Sequence, residues 1–248
     1  MKDKYELAKA AAQLRRQLGV DEYSHIDVFQ LAHTIEELTL VFYPMGQRIS
    51  GICIKGVEDV LIAINSSMTY GRQRYSMAHE LYHYYYDEMD TMICAHDISE
   101  AGAAERNANT FASFFLAPPA ALSAAIKSLK GERRALERAD IVRLEQYFGL
   151  SRQAMLVRLT EEGELTQEQA ISMRTNVISH ALSLGYSDTL YRPLPEDKAA
   201  MTYGRYIKLA EELLQRELIS NGKYEELLLE AFRADLVYGL SEGGELVD

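Results

Sequence analysis

The stretch "RQRYSMAHELYHYYYDEMD", residues 72–90, decides how this chain is read, because it sets His79, Glu80 and His83 in the spacing His-Glu-x-x-His. The pattern from Arg72 onward is helical, and on a helix two residues four apart lie on one face. His79 and His83 can therefore reach a single cation. Glu80 sits about 100° further round the helix, close to the cation without ligating it. Zinc held by three protein ligands keeps its fourth position for water and lowers the pKa of that water to about 7, and a neighbouring carboxylate can take the proton. In this pattern Glu80 is the candidate general base and would return the proton to a leaving amine.

A third ligand has to come from elsewhere in the chain. The segment "EAGAAERNANTFASFFLAPPAAL", residues 100–122, follows a loop with His and Asp and predicts a second helix. Glu105 is the preferred ligand, since Ala108, Asn109 and Ala112 continue from it as a face of small side chains that permits close packing against the first helix. His96 and Glu100 are rivals. Asn109, one turn beyond Glu105, is placed to orient a ligating side chain through a hydrogen bond.

Around these two helices the pattern is mixed. Residues 3–18 predict an amphipathic helix that stops at Gly19, and residues 24–39 predict a second one capped by Ser24 or Asp27. Residues 38–43, 50–55 and 59–65 are short β-rich runs separated by Pro44, Gly46 and Gly56, which predicts a small antiparallel meander. The last run, "DVLIAIN", is the candidate edge strand to which a substrate peptide could add, although its apolar run fits a buried strand equally well. Residues beyond 72 are read as helical to the end, with breaks at 117–120, 129–132, 161–165 and 186–197. His25, His33 and His180 are read as ordinary packed or surface histidines.

The composition excludes several classes. With 48% hydrophobic and 25% charged residues the chain is a folded protein, and no run approaches the ~18 apolar residues of a membrane span. Charges interrupt the opening "MKDKYELAKAAAQLRRQLGV", so it lacks the apolar block of a signal peptide and a cytoplasmic location is expected. Two cysteines, Cys53 and Cys94, make no disulfide framework. The net charge of −11 argues against a surface built throughout for nucleic acid. Between Lys127 and Arg158, however, eight Lys or Arg face four Asp or Glu. Residues 138–165 have the pattern of a helix-turn-helix with a Ser151 cap, which predicts Arg152, Gln153 and Arg158 as candidate DNA contacts and Lys127, Lys130, Arg133 and Arg134 as phosphate contacts.

Three linked blocks resemble the ImmA/IrrE-type metallopeptidase family. They are "IAINSSMTYGRQRYSMAHELYH" (62–83), "ERNANTFASFFLAP" (105–118) and the two-helix N-terminal region, covering about residues 1–125. Family members often have Gly where this chain has Tyr82, and aliphatic residues where it has Phe114 to Ala117. The resemblance implies an α+β, zincin-like domain over residues 1–127, with His79, His83 and Glu105 as Zn2+ ligands and Glu80 as base. A helix-turn-helix-like segment (128–165) and a helical C-terminal region (166–248) would follow. His96 and Tyr82 are candidates for stabilising an oxyanion, and the run Tyr84, Tyr85 and Tyr86 is read as packing around the helix end. The implied activity is that of a zinc endopeptidase cleaving a regulator, by resemblance a helix-turn-helix repressor, so that genes of a mobile element, prophage or stress response are released. The alternatives are a binding module and a toxin–antitoxin component. Leu-rich C-terminal faces leave a homo-oligomer open, and no membrane partner is expected.

Overall fold

The computed structural model describes residues 2–87, 91–95, 102–133 and 135–239. His96 and Glu100, with Arg134, lie outside the described residues. The fold is α+β, with a five-stranded mixed sheet covered by helices.

The chain begins with α1 (Lys4–Gln17), started by a capping box between Asp3 and Glu6. The short helix α2 (Val28–Ala32) is capped by Asp27. Strands β1 (Leu38–Tyr43), β2 (Ile49–Lys55) and β3 (Val60–Asn65) lead into the long helix α3 (Tyr70–Tyr86). Then come β4 (Thr91–Ala95), α4 (Ala103–Leu116) and α5 (Pro119–Lys130). Helices α6 (Arg138–Phe148), α7 (Arg152–Glu161), α8 (Gln167–Ser172) and α9 (Val177–Ser183) follow. The chain returns through β5 (Met201–Gly204) and ends in α10 (Arg205–Gln215), α11 (Asn221–Glu230) and α12 (Ala234–Tyr238).

The strand order is β4-β2-β3-β1-β5. The expected meander is therefore corrected. Strands β2 and β3 form a hairpin, but β1 pairs with β3 in parallel, Leu38 opposite Val60 through Tyr43 opposite Asn65. The chain reaches β2 by crossing the end of β3, and the fully buried Asn65 supports that crossing. Its side chain accepts from Met45 N at 3.0 Å and donates to Gly46 O at 3.2 Å and Ile49 O at 2.7 Å. "DVLIAIN" is consequently an interior strand, which explains its continuous apolar run; the edges are β4 and β5.

Strand β5 pairs antiparallel with β1 inside a stretch whose sequence reads as helix. Four residues are too few for a period-2 signal ahead of a strongly amphipathic helix. At the junction Gly204 has φ +84°, and a Cβ there would stand 2.3 Å from Leu38 O. Only glycine fits the bend from strand into α10.

One core joins α1 to α7. Leu7, Leu14, Leu40, Ile62, Leu81, Phe111, Ile141 and Leu156 belong to the same buried cluster, so the 128–165 segment packs into the core of residues 1–127. Two buried arginines tie the pieces together. Arg15, at 0% exposure, donates to the carbonyls of Asp21, Phe115 and Ser24, which holds the end of α1 to the end of α4. Arg74 on α3 donates to Gly149 O and Ile26 O. Gly149 ends α6 with φ +66°, and a Cβ there would fall 2.4 Å from Arg74 Nε. The turn between α6 and α7 is thus clamped onto the metal-motif helix. By contrast, α10 to α12 keep Leu209, Leu213, Leu229, Phe232 and Leu236 exposed. Among the described residues, no single helix is long and apolar enough to cross a membrane.

Candidate metal centre

Helix α3 lies against β2 and β3 on one side and α4 on the other, so its two histidines face α4. His79 and His83 present their Nε2 atoms 3.0 Å apart. Glu105, in the first turn of α4, closes the group: Oε2 lies 3.2 Å from His79 Nε2, and Oε1 lies 3.3 Å from His83 Nε2. One ligand atom from each of the three residues falls within 4.8 Å of the others. The small residues that continue the Glu105 face make this approach possible, for Ala108 and Ala112 are fully buried.

The far nitrogens are also held. His79 Nδ1–H donates to Asn109 Oδ1 at 3.0 Å, and His83 Nδ1–H donates to Asp87 Oδ2 at 2.5 Å. Each bond fixes its ring in the tautomer whose Nε2 carries a lone pair. Two such lone pairs and a carboxylate converging on one point repel one another unless a cation sits among them. The donor set, two imidazoles and a carboxylate, suits a tetrahedral divalent metal with one position open.

The electrostatics agree. Burial alone would lower the pKa of His83, but its hydrogen bonds to Glu105 and Asp87 and the charge of Glu80 outweigh burial and raise it. Burial would raise that of Glu105, and the two histidines instead drive it far below the usual carboxylate range. The pocket is built for positive charge.

Glu80 is 0% exposed and packs against β2. A Cβ at Gly51 would stand 2.4 Å from Glu80 Oε1, 2.9 Å from Cδ and 3.0 Å from Cγ. Gly51 is therefore the cradle of the candidate base, required by space rather than by backbone angle. Neighbouring Cys53 feels the same group: burial, then the Glu80 charge, pushes its thiol up to about 12, so it is a packed, unreactive cysteine.

Several sequence expectations are corrected here. Tyr82 is 2% exposed and its ring lies among Tyr86, Phe111 and His83, so it does not face an oxyanion. Arg152 is 4% exposed, ion-paired to Glu145 and donating to Met173 O at 2.8 Å. Arg158 is 1% exposed, donating to Glu162 and to Ser113 Oγ. Neither stands on an open surface that a duplex could meet; of the three candidate DNA contacts only Gln153 is exposed. His96 lies outside the described residues. Asp87, Gly51 and Tyr75, whose hydroxyl donates to Asn109 O at 2.6 Å, belong to the site and were not singled out from sequence. Asp87 is four residues after His83, a spacing that could have flagged it.

A cleft of about 390 Å³ opens from His79. Its walls are Arg72 and Tyr75 on α3, Arg106 and Asn109 on α4, and the first turns of α7.

Comparison with known proteins agrees with this geometry. Residues 54–160 match the IrrE N-terminal-like domain, Peptidase_M78. Over these residues the chain is similar to the metallopeptidases of the ImmA/IrrE type. The match runs from the end of β2 through α7, so the helices behind the cleft lie inside the matched region. The chain is also similar to the radiation response metalloprotease IrrE of Deinococcus deserti, 27% identical over 205 residues that cover 75% of this chain and 71% of that protein.

Proposed function

We propose that this protein is a cytoplasmic zinc endopeptidase that cuts a specific regulatory protein, a helix-turn-helix repressor by the family resemblance, and so releases the genes that the repressor holds silent. The observation that carries the reading is the convergence of His79, His83 and Glu105 beside a buried Glu80. A bound zinc ion would supply Lewis acidity and lower the pKa of water at the site.

The chain's own groups do the rest. Asp87 and Asn109 hold the two imidazoles in register. Glu80, seated against Gly51, takes the proton of the attacking water and delivers it to the amine as the peptide bond breaks. Strand β4 is the sheet edge beside β2, with Cys94 opposite Gly51 in register, and it would receive the substrate as an added strand.

The test is intact-mass analysis of helix-turn-helix regulators from the same genome, after incubation with zinc-loaded protein. One discrete cut, absent with Glu80→Gln, supports the proposal. An intact regulator that forms a stable complex favours control by association instead.

A further inference from the structure

Because α3 is a helix, Arg72, Tyr75, Ser76 and His79 form one stripe along the cleft floor; on α4 the stripe is Arg106, Asn109, Thr110 and Ser113. The opposite wall is the N-terminal half of α7, where Ser151, Gln153 and Ala154 lie at the positive end of a ten-residue helix. Further along α7, Arg158 reaches the same wall. Its guanidinium lies over the Phe114 ring at 4.4 Å, donates from Nε to Glu162 at 2.8 Å and from Nη1 to Ser113 Oγ at 3.0 Å. Nη2 is buried with no hydrogen-bond partner. The lining carries three arginines, Arg72, Arg106 and Arg158, against one carboxylate, Glu161; Glu161 is ion-paired to Lys4 at 3.1 Å and Arg158 to Glu162 at 2.8 Å. This is a cationic trough in a chain whose net charge is −11. A buried cationic donor, two further arginines and a helix N-terminus in one concave site suit a carboxylate.

We infer that this trough is a specificity subsite for an acidic side chain of the substrate, placed within about three residues of the scissile bond. The distance follows from α3. Arg72 precedes His79 by seven residues, about 10 Å along a helix axis, which an extended peptide spans in about three residues. Arg158 Nη2 is the donor left for the carboxylate, and Arg72, Arg106 and the α7 terminus supply the field that favours its entry. The inference rests on the peptidase reading for the position of the cut, but not for binding at the trough.

The experiment exposes a library of twelve-residue peptides to zinc-loaded protein and to its Arg158→Gln and Arg106→Gln variants, with cut sites read by mass spectrometry. Arg106 is exposed at the rim, so its variant keeps the test informative if loss of buried Arg158 unfolds the chain. The expected result is enrichment of Asp or Glu by about tenfold at one position within three residues of the cut, reduced in the variants while peptides lacking an acid are still cut. Cuts with no acidic enrichment, or enrichment indifferent to both arginines, would overturn the subsite and leave the peptidase standing. If nothing is cut, the peptidase reading falls, and the library retained by zinc-loaded Glu80→Gln protein decides the subsite. Retention favouring acidic peptides supports it, and retention blind to charge overturns it.

Discussion

Gly51→Ala probes the seat of the candidate base with a single methyl group. The new Cβ would lie 2.4 Å from Glu80 Oε1, whereas ordinary contact begins near 3.4 Å, so the carboxylate must retreat by about 1 Å. Glu80 is 0% exposed and has no solvent to move into, so strand and helix share the displacement. A misplacement of about 1 Å in a catalytic group costs on the order of 10²-fold in rate, equivalent to about 2.7 kcal/mol of barrier. The overpacking itself destabilises a core by about 1–3 kcal/mol, a fall of roughly 2–4 °C in Tm per kcal/mol for a chain of this size. The assay compares kcat/KM on a cleaved peptide with metal content and Tm in the same preparation. Expected are about a hundredfold loss of kcat/KM, one metal retained and a small fall in Tm. Gly46→Ala, where nothing lies within 4 Å of the new Cβ, is the control. Unchanged kcat/KM in Gly51→Ala protein would refute the placement of Glu80 as the base.

Three further perturbations follow from the same contacts. Asn109→Ala and Asp87→Ala free the far nitrogens of His79 and His83 and should each weaken zinc binding by about 10–100-fold, measured by competition with a chelator. Arg152→Leu leaves Glu145 buried at 0% exposure with only the Tyr191 hydroxyl donating to it at 2.8 Å. It should cost about 3–5 kcal/mol in urea unfolding, which Arg152→Leu with Glu145→Leu should largely recover. The Ser24 hydroxyl and the amides of Tyr23 and Ser24 lower the Asp21 carboxyl to about 2. Its folded pKa lies below the unfolded value of about 3.9. The stabilisation is therefore present above pH 4 and lost as pH falls toward 2. Urea midpoints of the protein and of Asp21→Ala should differ at pH 6 and converge near pH 2.

The metal helix was legible because its signal is local: His79, Glu80 and His83 are fixed relative to one another by helix geometry alone. Glu105 and Asn109 were legible because small residues beside a carboxylate, on a second helix, leave a recognisable stripe. What sequence did not disclose is which strand lies beside which. Alternation marks a strand but not its neighbour, so nothing local in β3 shows that the crossing held by Asn65 places it between β1 and β2. The basic segment misled for a related reason. Arg152 and Arg158 look like solvent-facing residues of a recognition helix, yet both are buried and ion-paired, Arg152 to the buried Glu145 and Arg158 to the exposed Glu162. Gly51 was invisible, because its role is the room it leaves for a side chain 29 positions away.

The most direct test of a metal centre with Glu80 as its base pairs metal content with hydrolysis in the same samples of the protein, Glu80→Gln and His79→Ala. One zinc per chain is expected in the first two and none in the third, with peptide cleavage confined to the unaltered protein. Cleavage by Glu80→Gln at the unaltered rate, or full zinc content in His79→Ala, would contradict it.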